Sequence, residues 1–481
     1  MRKFRKFLLY TLLAAAACTL SATAGDVLTF DDLVASLEDN NTTLLQSIEG
    51  YRTSSLDVKD AKANYHPQIT YTLAGSYVYN HQVMNMSTDS IKNDMRGKTI
   101  NIPFGGMNIP IGLDDIASQL PNEIDLPITV SDPYFNAQIS LVQPVWTWGK
   151  VGSSVEMYEE IESARALQIG DTEKRLITEL KAYLASLYYL EKIDNVISEL
   201  QADSQELVTL AQDSSDAGAL LAVDAAKARV TASQIDVSRT QIQTQIESIL
   251  TSIETLTGIN DITADMIDFT PDEDYFREMA EADRTMLLAM ATSGSQASMQ
   301  MLDHMINAAQ AASKAADRSM YWYPDIALSV SANYTAPTTS KWADNSSWGV
   351  TVAVGLQGTL WDGGKKLNDQ DRAESAAVSA QISRSEAVNT IKTTLTENLN
   401  TIDLALASID YQEANIELLT SELELEEKKL ELGASSRSDV LNKRIELNQA
   451  RIEELTNRIS LASAVYTVEY LTGYVPDTVS D

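Results

Sequence analysis

The chain has few of the residues on which catalysis, metal binding and nucleic-acid binding usually depend. Its 481 residues include one cysteine, Cys18, and three histidines, His66, His81 and His304. The histidines lack the spacing of metal ligands, and no glycine-rich phosphate loop follows an apolar strand. Only 36 lysines and arginines stand against 68 acidic residues, which gives a net charge of −32. This excludes nucleic-acid binding by phosphate neutralisation, and we predict a protein that is not an enzyme and uses no metal or cofactor.

Residues that break helices are also scarce. There are 11 prolines and 20 glycines, and the stretches 150–217 and 365–432 contain no proline and almost no glycine. At ~1.5 Å per residue, each stretch predicts a helix roughly 100 Å long. Apolar residues at alternating spacings of four and three predict coiled-coil packing along a narrow seam. The first series is Leu176, Leu180, Tyr183, Leu187, Leu190 and Ile197, interrupted at Asp194; the second is Leu441, Ile445, Ile452, Leu455, Ile459 and Ala462, interrupted at Asn448.

The N-terminus has the pattern of a secretory signal peptide over residues 1–24. Four cations precede an apolar run at 7–17, and Ala22-Thr23-Ala24 forms a cleavage site. The run is too short to span a bilayer as a helix, and an N-terminal anchor is the alternative. Cleavage after Ala24 would leave a mature chain without cysteine. Lipidation of Cys18, which follows four alanines, is the other interpretation of this segment.

Residues near the middle of the chain recur 215 positions later, without a gap, over more than a hundred residues. Trp146 corresponds to Trp361, Gly218 to Gly433, Asp224 to Asp439, and 256–258 (LTG) to 471–473. A duplication of this length predicts two copies of one supersecondary unit, at 25–265 and 266–481. Each copy has a first helix (29–64 in copy one), a β-hairpin (66–146 and 323–361), a long helix (150–217 and 365–432) and a shorter helix (222–258 and 437–472). The first hairpin has the longer loop, an outer loop at 81–134.

The hairpins alternate apolar and polar residues, which predicts strands with two different faces. Ile69, Tyr71 and Leu73 alternate with Thr70 and Thr72, and the second hairpin repeats the pattern. Strands of about ten residues are long enough to cross a bilayer when tilted. A soluble β-sandwich has the same alternation, but it does not need helices of the predicted length. Aromatic residues near the strand ends suit a membrane-interface girdle: Tyr65, Trp146, Trp148, Tyr321, Trp322, Tyr323 and Trp361.

Strand count then predicts the stoichiometry. Four strands cannot close a barrel, and open sheet edges are not tolerated in lipid. Eight strands from two chains would leave an interior filled by side chains, whereas twelve strands from three chains would leave a conduit. We therefore predict a homotrimer.

Three groups of residues together resemble the TolC-like outer-membrane efflux proteins over essentially the whole mature chain. The strand-to-helix segments are 143–150 (QPVWTWGK) and 359–366 (TLWDGGKK), and the second is similar to the family's LFDGG(K/R) segment. The turns between long and short helices are 218–224 (GALLAVD) and 433–442 (GASSRSDVLN). The second turn is similar to the family's periplasmic-tip motif. Each copy also ends in Leu-Thr-Gly.

The resemblance implies a membrane α+β fold: a trimeric, twelve-stranded outer-membrane β-barrel with four strands per chain, continued by a long periplasmic α-helical barrel of coiled-coil helices. It implies a passive channel of a tripartite efflux or type I secretion system. The partners it implies are a periplasmic adaptor (membrane fusion) protein and an inner-membrane pump of the RND or ABC type. Outer-membrane lipid would surround the barrel. Small molecules and proteins both remain open as cargo.

The resemblance also implies three sets of functional residues. The pore constriction would be formed by Asp439, Asn442 and Asp224, with Asn442 at a position where some relatives have a second acid. The adaptor-contact tip would comprise Gly218, Ala219, Leu220, Gly433, Ala434, Ser435, Ser436 and Arg437. The junction between barrel and helices would comprise Pro144, Trp146, Gly149, Trp361, Gly363 and Gly364.

Local physics leaves alternatives to these roles. An aspartate in the first turn of a helix is stabilised by the helix dipole, so helix stabilisation alone could account for Asp224 and Asp439. A secreted or surface-attached coiled-coil structural protein or adhesin without a channel would share the heptads and the acidity. Such a protein would not need amphipathic strands with aromatic ends.

Overall fold

The computed structural model describes residues 27–76, 85–87, 99–104, 107–112, 123–125, 134–217, 222–337 and 347–476. The signal segment 1–24 with Cys18, most of the outer loop 81–134, and Gly218, Ala219 and Leu220 lie outside these ranges. The chain divides into two compact units. The sheet unit contains the described residues within 49–168 and 300–386, and the helical unit contains those within 1–48, 169–299 and 387–481.

The elements follow one another in two similar series. The first is β1 (Leu28–Thr29), α1 (Phe30–Asn40), α2 (Thr42–Ala63), β2 (Gln68–Ser76), β3 (Asn85–Ser87), β4 (Thr99–Phe104), β5 (Met107–Gly112), β6 (Glu123–Asp125), β7 (Tyr134–Trp146), α3 (Lys150–Asp216) and α4 (Ala222–Thr257). The second is a 3₁₀ turn (Ala264–Met266), β8 (Ile267–Asp268), α5 (Glu273–Glu281), α6 (Arg284–Ala291), α7 (Ala297–Asp317), β9 (Asp325–Pro337), β10 (Ser347–Gln357), α8 (Lys365–Glu431) and α9 (Arg437–Thr472).

The prediction of one helix over 29–64 is wrong, because Asn41 separates α1 from α2. Asn41 has extended backbone angles (φ −66°, ψ 119°). Its Oδ1 accepts hydrogen bonds from the backbone N of Thr43 (2.9 Å) and Leu44 (3.1 Å), and its Nδ2 donates to the Leu256 carbonyl (3.0 Å). An asparagine that caps the following helix in this way needs non-helical backbone angles of its own.

Four strands of the sheet unit form one antiparallel sheet in the order β10-β9-β7-β2. The register aligns residues of similar polarity in rows across all four strands. One apolar row is Ile69, Leu141, Val330 and Val352, and the neighbouring row on the opposite face is Thr70, Ser140, Ser331 and Thr351. The sheet therefore has one apolar and one hydroxyl-rich face.

Long helices supply the core of the helical unit. Leu180 of α3 packs with Leu33 of α1 and Ile253 of α4. Further along α3, Tyr189, Ile193 and Ile197 pack with Ile235 of α4 and Leu455 of α9. Helix α8 buries a third cluster against α5, α6 and α9, which includes Leu395, Leu399, Ile402, Phe276, Leu287 and Val465. Among the described residues, no helix has the length and apolarity needed to cross a membrane.

Candidate functional site

The turn between α8 and α9, which we call the tip turn (residues 431–437), ends α8 with a Schellman motif. Gly433 has a positive φ of 70°. The N–H of Ala434 donates to the Lys429 carbonyl (2.8 Å), and the N–H of Gly433 donates to the Leu430 carbonyl (3.0 Å). A Cβ added at Gly433 would meet no atom within 4 Å. The backbone angle, and not a lack of space, therefore requires glycine here.

Ser436 and Asp439 form a capping box that starts α9. The Asp439 Oδ2 accepts hydrogen bonds from the Ser436 N (3.1 Å) and Oγ (2.7 Å) and from the Ser435 Oγ (3.3 Å). The N–H of Asp439 donates to the Ser436 Oγ at 3.2 Å. The hydrogen bond from the Ser436 side chain, aided by its backbone N–H, lowers the pKa of Asp439 below its usual range. Asp439 is therefore an exposed, ionised carboxylate held in one orientation.

Two arginines at the start of α9 bind carboxylates near the end of α3. Arg437 forms a bidentate pair with Glu206, with Nε–Oε1 and Nη2–Oε2 distances of 2.7 and 2.9 Å. Arg444 reaches the buried Asp203 at 3.0 Å. The hydrogen bond from Arg437 lowers the pKa of Glu206. Burial raises the pKa of Asp203 despite the neighbouring Arg444. These two pairs join the ends of two helices whose pairing no local motif specifies.

The residues assigned to the tip therefore divide into several groups. Ser435, Ser436 and Asp439 come together, while Arg437 binds Glu206. Asn442 is exposed on α9, three residues beyond Asp439. Asp224 belongs to α4, but its side chain lies outside the described part of the chain, as do Gly218, Ala219 and Leu220. Within the described residues, no group of three or more potential metal ligands comes together.

The first junction between strand and helix, at 144–150, depends on unusual backbone angles. Pro144 and Trp146 flank a register shift in β7, where proline cannot donate a ladder hydrogen bond. Gly149 has a φ of 81°, and a Cβ there would lie 2.8 Å from the Arg318 guanidinium. Arg318 Nη1 donates to the Gly149 carbonyl at 3.1 Å. Any side chain at position 149 would thus displace Arg318.

At the second junction, Gly363 and Gly364 have φ values of 75° and 87°. The Asp362 carboxylate accepts from the N–H groups of Gly364 and Lys366, both at 3.2 Å, and from the Tyr321 hydroxyl. The two glycines provide the backbone angles that place these donors around one carboxylate. Trp361 is largely exposed beside them, as is Trp146 at the first junction.

Lys150, at the start of α3, forms the most buried ion pair of the sheet unit's described residues. Its Nζ lies 2.9 and 2.8 Å from the two carboxylate oxygens of Asp325, and 8% and 19% of the two side chains are exposed. Asp325→Ala would leave the buried ammonium without a partner, at a cost of about 3 kcal/mol. We expect a clear decrease in melting temperature, which circular dichroism of the protein in detergent would measure.

The control is Asp303→Ala, which breaks the more exposed Arg384–Asp303 pair of the same unit. It should cost about 0–1 kcal/mol. Equal decreases for Asp303→Ala and Asp325→Ala would contradict the importance of burial at Lys150.

Comparisons with known proteins agree with this architecture. Residues 291–474 match the family model described as outer membrane efflux protein. No curated protein sequence matches the chain. The outer-membrane channel OprN has 14% sequence identity and a TM-score of 0.67, with 92% of this chain and 89% of that chain covered. The CmeC outer membrane channel of Campylobacter jejuni has 13% identity and a TM-score of 0.67, with coverage of 92% and 85%. The outer membrane protein VceC of Vibrio cholerae has 14% identity and a TM-score of 0.65, with coverage of 92% and 96%.

At these identities the structural matches define the fold, which extends over nearly the whole chain. The family model adds a match in sequence over residues 291–474. These findings show that residues 291–474 are similar to the outer membrane efflux protein family and that the chain has the fold of these outer-membrane channels.

Proposed function

We propose that the chain is the outer-membrane channel of a tripartite efflux or type I secretion system. It conducts substrates passively from a periplasmic adaptor and an inner-membrane pump to the cell exterior. The sheet unit's strands lie in the outer membrane, and the long helices extend into the periplasm. The observation that carries this proposal is the exposed apolar face of the four-stranded sheet.

That face is too large and too apolar for contact with water. Tyr71, Val352 and Trp348 are 77%, 66% and 77% exposed. Other large side chains of this face are also exposed, namely Ile69, Leu73, Ile139, Val350 and Val354. Contiguous apolar surface of this kind indicates contact with lipid or with another protein. The hydroxyl-rich rows of the opposite face suit the wall of a water-filled channel.

The sheet edges support a trimer. Strands β10 and β2 are the outermost strands, each paired on one side only, and lipid does not tolerate unpaired backbone groups. Because the four strands alternate in direction, β2 of one copy would meet β10 of the next as an antiparallel neighbour. Three copies would close a twelve-stranded barrel that leaves a conduit.

The tip is proposed to carry the constriction and the adaptor contact. Asp439, Asn442 and Asp224 would lie near the three-fold axis, where repeated carboxylates would attract cations and repel anions. The adaptor would contact 218–220 and Gly433, Ala434, Ser435, Ser436 and Arg437. The support for these roles is the family motif in this turn and the exposure of Asp439.

Purified protein in detergent tests the proposal directly. We expect a mass of three chains by light scattering and discrete conductance steps in planar bilayers. Deletion of the gene should also reduce export of either small toxic compounds or a secreted protein, and the affected class identifies the cargo. A protein that stays monomeric and dissolved without amphiphile would contradict the proposal and would favour the structural-protein alternative.

Substitutions of Asp439 can separate its two roles. Asp439→Asn keeps an oxygen that can accept the Ser436 hydrogen bonds but removes the charge. If Asp439 lines the constriction, Asp439→Asn should raise anion permeability and weaken block by multivalent cations, measured in single-channel recordings. Asp439→Ala should show the same change and, in addition, faster proteolysis at the tip turn because the capping box is lost. Normal ion block in Asp439→Asn would remove Asp439 from the pore.

A further inference from the structure

Two helices of the helical unit carry exposed apolar residues at intervals of seven. On α8 and its C-cap, these residues are 54–83% exposed; they are Leu404, Tyr411, Leu418, Leu425 and Leu432. On α4, Val223, Val230 and Val237 are 58–62% exposed, and the series continues with the exposed Thr244 and Thr251. We call these the α8 seam and the α4 seam. A spacing of seven is the signature of a helix face that packs against another helix.

Both seams lie away from the core of their own chain. Ile402 and Ile409 of α8 are buried against α5 and α9, and Ile409 precedes the exposed Tyr411 by two residues. On α4, the buried Ile235 precedes the exposed Val237 by two residues. Two residues correspond to about 200° around a helix. Each helix therefore presents one apolar face to its own chain and a second, roughly opposite face outward.

The contacts also give the order of the helices in the unit. Helix α4 packs on α3, α3 is joined to α9 through Glu206–Arg437, and α9 is joined to α8 through Lys443–Glu422 at 2.9 Å. The order is α4, α3, α9, α8. The two seams therefore lie on the two edge helices of the unit.

Cross-helix contacts further show which residues of the two edges lie at the same height. Asp236 of α4 accepts a hydrogen bond from Gln201 of α3 (2.7 Å). Two residues further along α3, Asp203 binds Arg444 of α9 at 3.0 Å, and Arg444 lies 3.7 Å from Glu427 of α8. Val237 is thus nearly level with Leu425. Helices α4 and α8 run in opposite directions. A step of seven residues forward on α4 is therefore level with a step of seven residues backward on α8. The level pairs are Val230 with Leu432, Val237 with Leu425, Thr244 with Leu418, and Thr251 with Tyr411.

We propose that the α4 seam of one copy packs antiparallel against the α8 seam of the next copy, in this register. This inference rests on the proposed trimeric channel and specifies which surfaces join its subunits near the tip. Two different surfaces form each contact, so the contact is heterologous and closes into a ring when the rotation per copy is one third of a turn. The large leucines of one seam meet the small valines of the other, which allows them to interdigitate.

The main competing arrangement pairs two α8 seams with each other, and the negative charge beside this seam disfavours it. A row of exposed carboxylates adjoins the α8 seam: Asp410, Glu417, Glu424 and Glu431. Two such rows would repel each other across a symmetric α8–α8 contact. One exposed carboxylate adjoins the α4 seam, Asp236, and it accepts a hydrogen bond from Gln201 of its own chain. The other exposed groups beside this seam include hydroxyls and amides that can donate to carboxylates, namely Ser233, Gln234, Ser238 and Gln241. The α4 seam is thus the better partner for α8.

Disulfide cross-linking tests the register in the full chain, because Cys18 is its only cysteine. Val237→Cys combined with Leu425→Cys should give covalent trimers after mild oxidation, seen on non-reducing gels and reversed by dithiothreitol. The matched control is Ser238→Cys with Leu425→Cys. Position 238 lies at nearly the same height along α4 as position 237, but about 100° further around the helix. This control should stay largely monomeric on the gel. Each single variant should also stay monomeric, and a mixture of the two should give covalent dimers.

The outcomes separate this inference from the proposed function. If only the control pair cross-links, while the protein keeps a trimeric mass and normal conductance, the proposed register is wrong but the proposed channel stands. Covalent dimers from Leu425→Cys alone would show α8–α8 pairing and also overturn it. Cross-links to a different protein in place of trimers would show that the seams bind another partner. A monomeric mass without conductance would remove the channel itself.

Discussion

Replacing Val352 by arginine is expected to remove most of the protein from outer-membrane fractions and to abolish the trimer in detergent. Val352 is the central residue of β10 and belongs to the apolar row that crosses all four strands. An arginine on the lipid face near the bilayer midplane costs about 2–4 kcal/mol. Three copies would carry this cost in one barrel. Membrane fractionation and heat-modifiable migration on gels would measure the effect.

Thr351→Arg provides the matched control for Val352→Arg. Thr351 adjoins Val352 in the chain and lies in the hydroxyl row on the opposite face of the sheet. Its arginine would project into the aqueous channel, so we expect normal insertion and trimer formation with altered ion selectivity. If both variants inserted equally well, the apolar face would not contact lipid, and the proposed membrane orientation would be wrong.

Local patterns account for the parts of the fold that the sequence predicts well. Alternation at Ile69, Tyr71 and Leu73 identifies the face of the sheet because a strand has a period of two residues. The absence of proline from 365–432 permits the helix α8, Lys365–Glu431. The break at Asn41 escapes this reasoning, because asparagine is compatible with a helix unless a tertiary contact favours the capped conformation. Here the Leu256 carbonyl provides that contact.

The tip shows the same division between local and distant information. Gly433, Ser436 and Asp439 lie within seven residues, and their spacing is enough to predict a helix end followed by a helix start. Arg437 and Glu206 are separated by 231 positions. Nothing in the spacing of α3 identifies which of its carboxylates meets α9. Only the packing of the two helices determines that partner, so the sequence alone suggested an adaptor contact for Arg437 and missed the ion pair.

That ion pair leads to the second large effect. In Arg437→Glu, the new carboxylate would face Glu206 and the neighbouring Asp203, so the attraction between α3 and α9 becomes repulsion. We expect a severalfold rise in single-channel conductance and faster proteolysis within the tip turn, because the ends of the helices separate. The expected result depends on the proposed position of this turn at the narrow end of the channel.

A charge swap provides the control. Glu206→Arg combined with Arg437→Glu restores opposite charges and should return conductance towards the wild-type value. If Arg437→Glu and the charge-swapped double variant both keep a raised conductance, the tip tolerates only the original bidentate geometry. Unchanged conductance in Arg437→Glu would exclude a role for the pair in holding the tip closed.

Acid should act on the wild-type protein in the same direction as Arg437→Glu. Because the hydrogen bond from Arg437 lowers the folded-state pKa of Glu206 below its ordinary value of 4.5, the pair contributes stability above that value. The contribution decreases as the pH falls through the lowered pKa. The conductance of the wild-type protein should therefore rise only when the pH falls below the ordinary glutamate pKa of 4.5. The rise should be smaller in Arg437→Glu, because that variant has already lost the ion pair. A rise of equal size in both proteins would assign the acid response to other carboxylates.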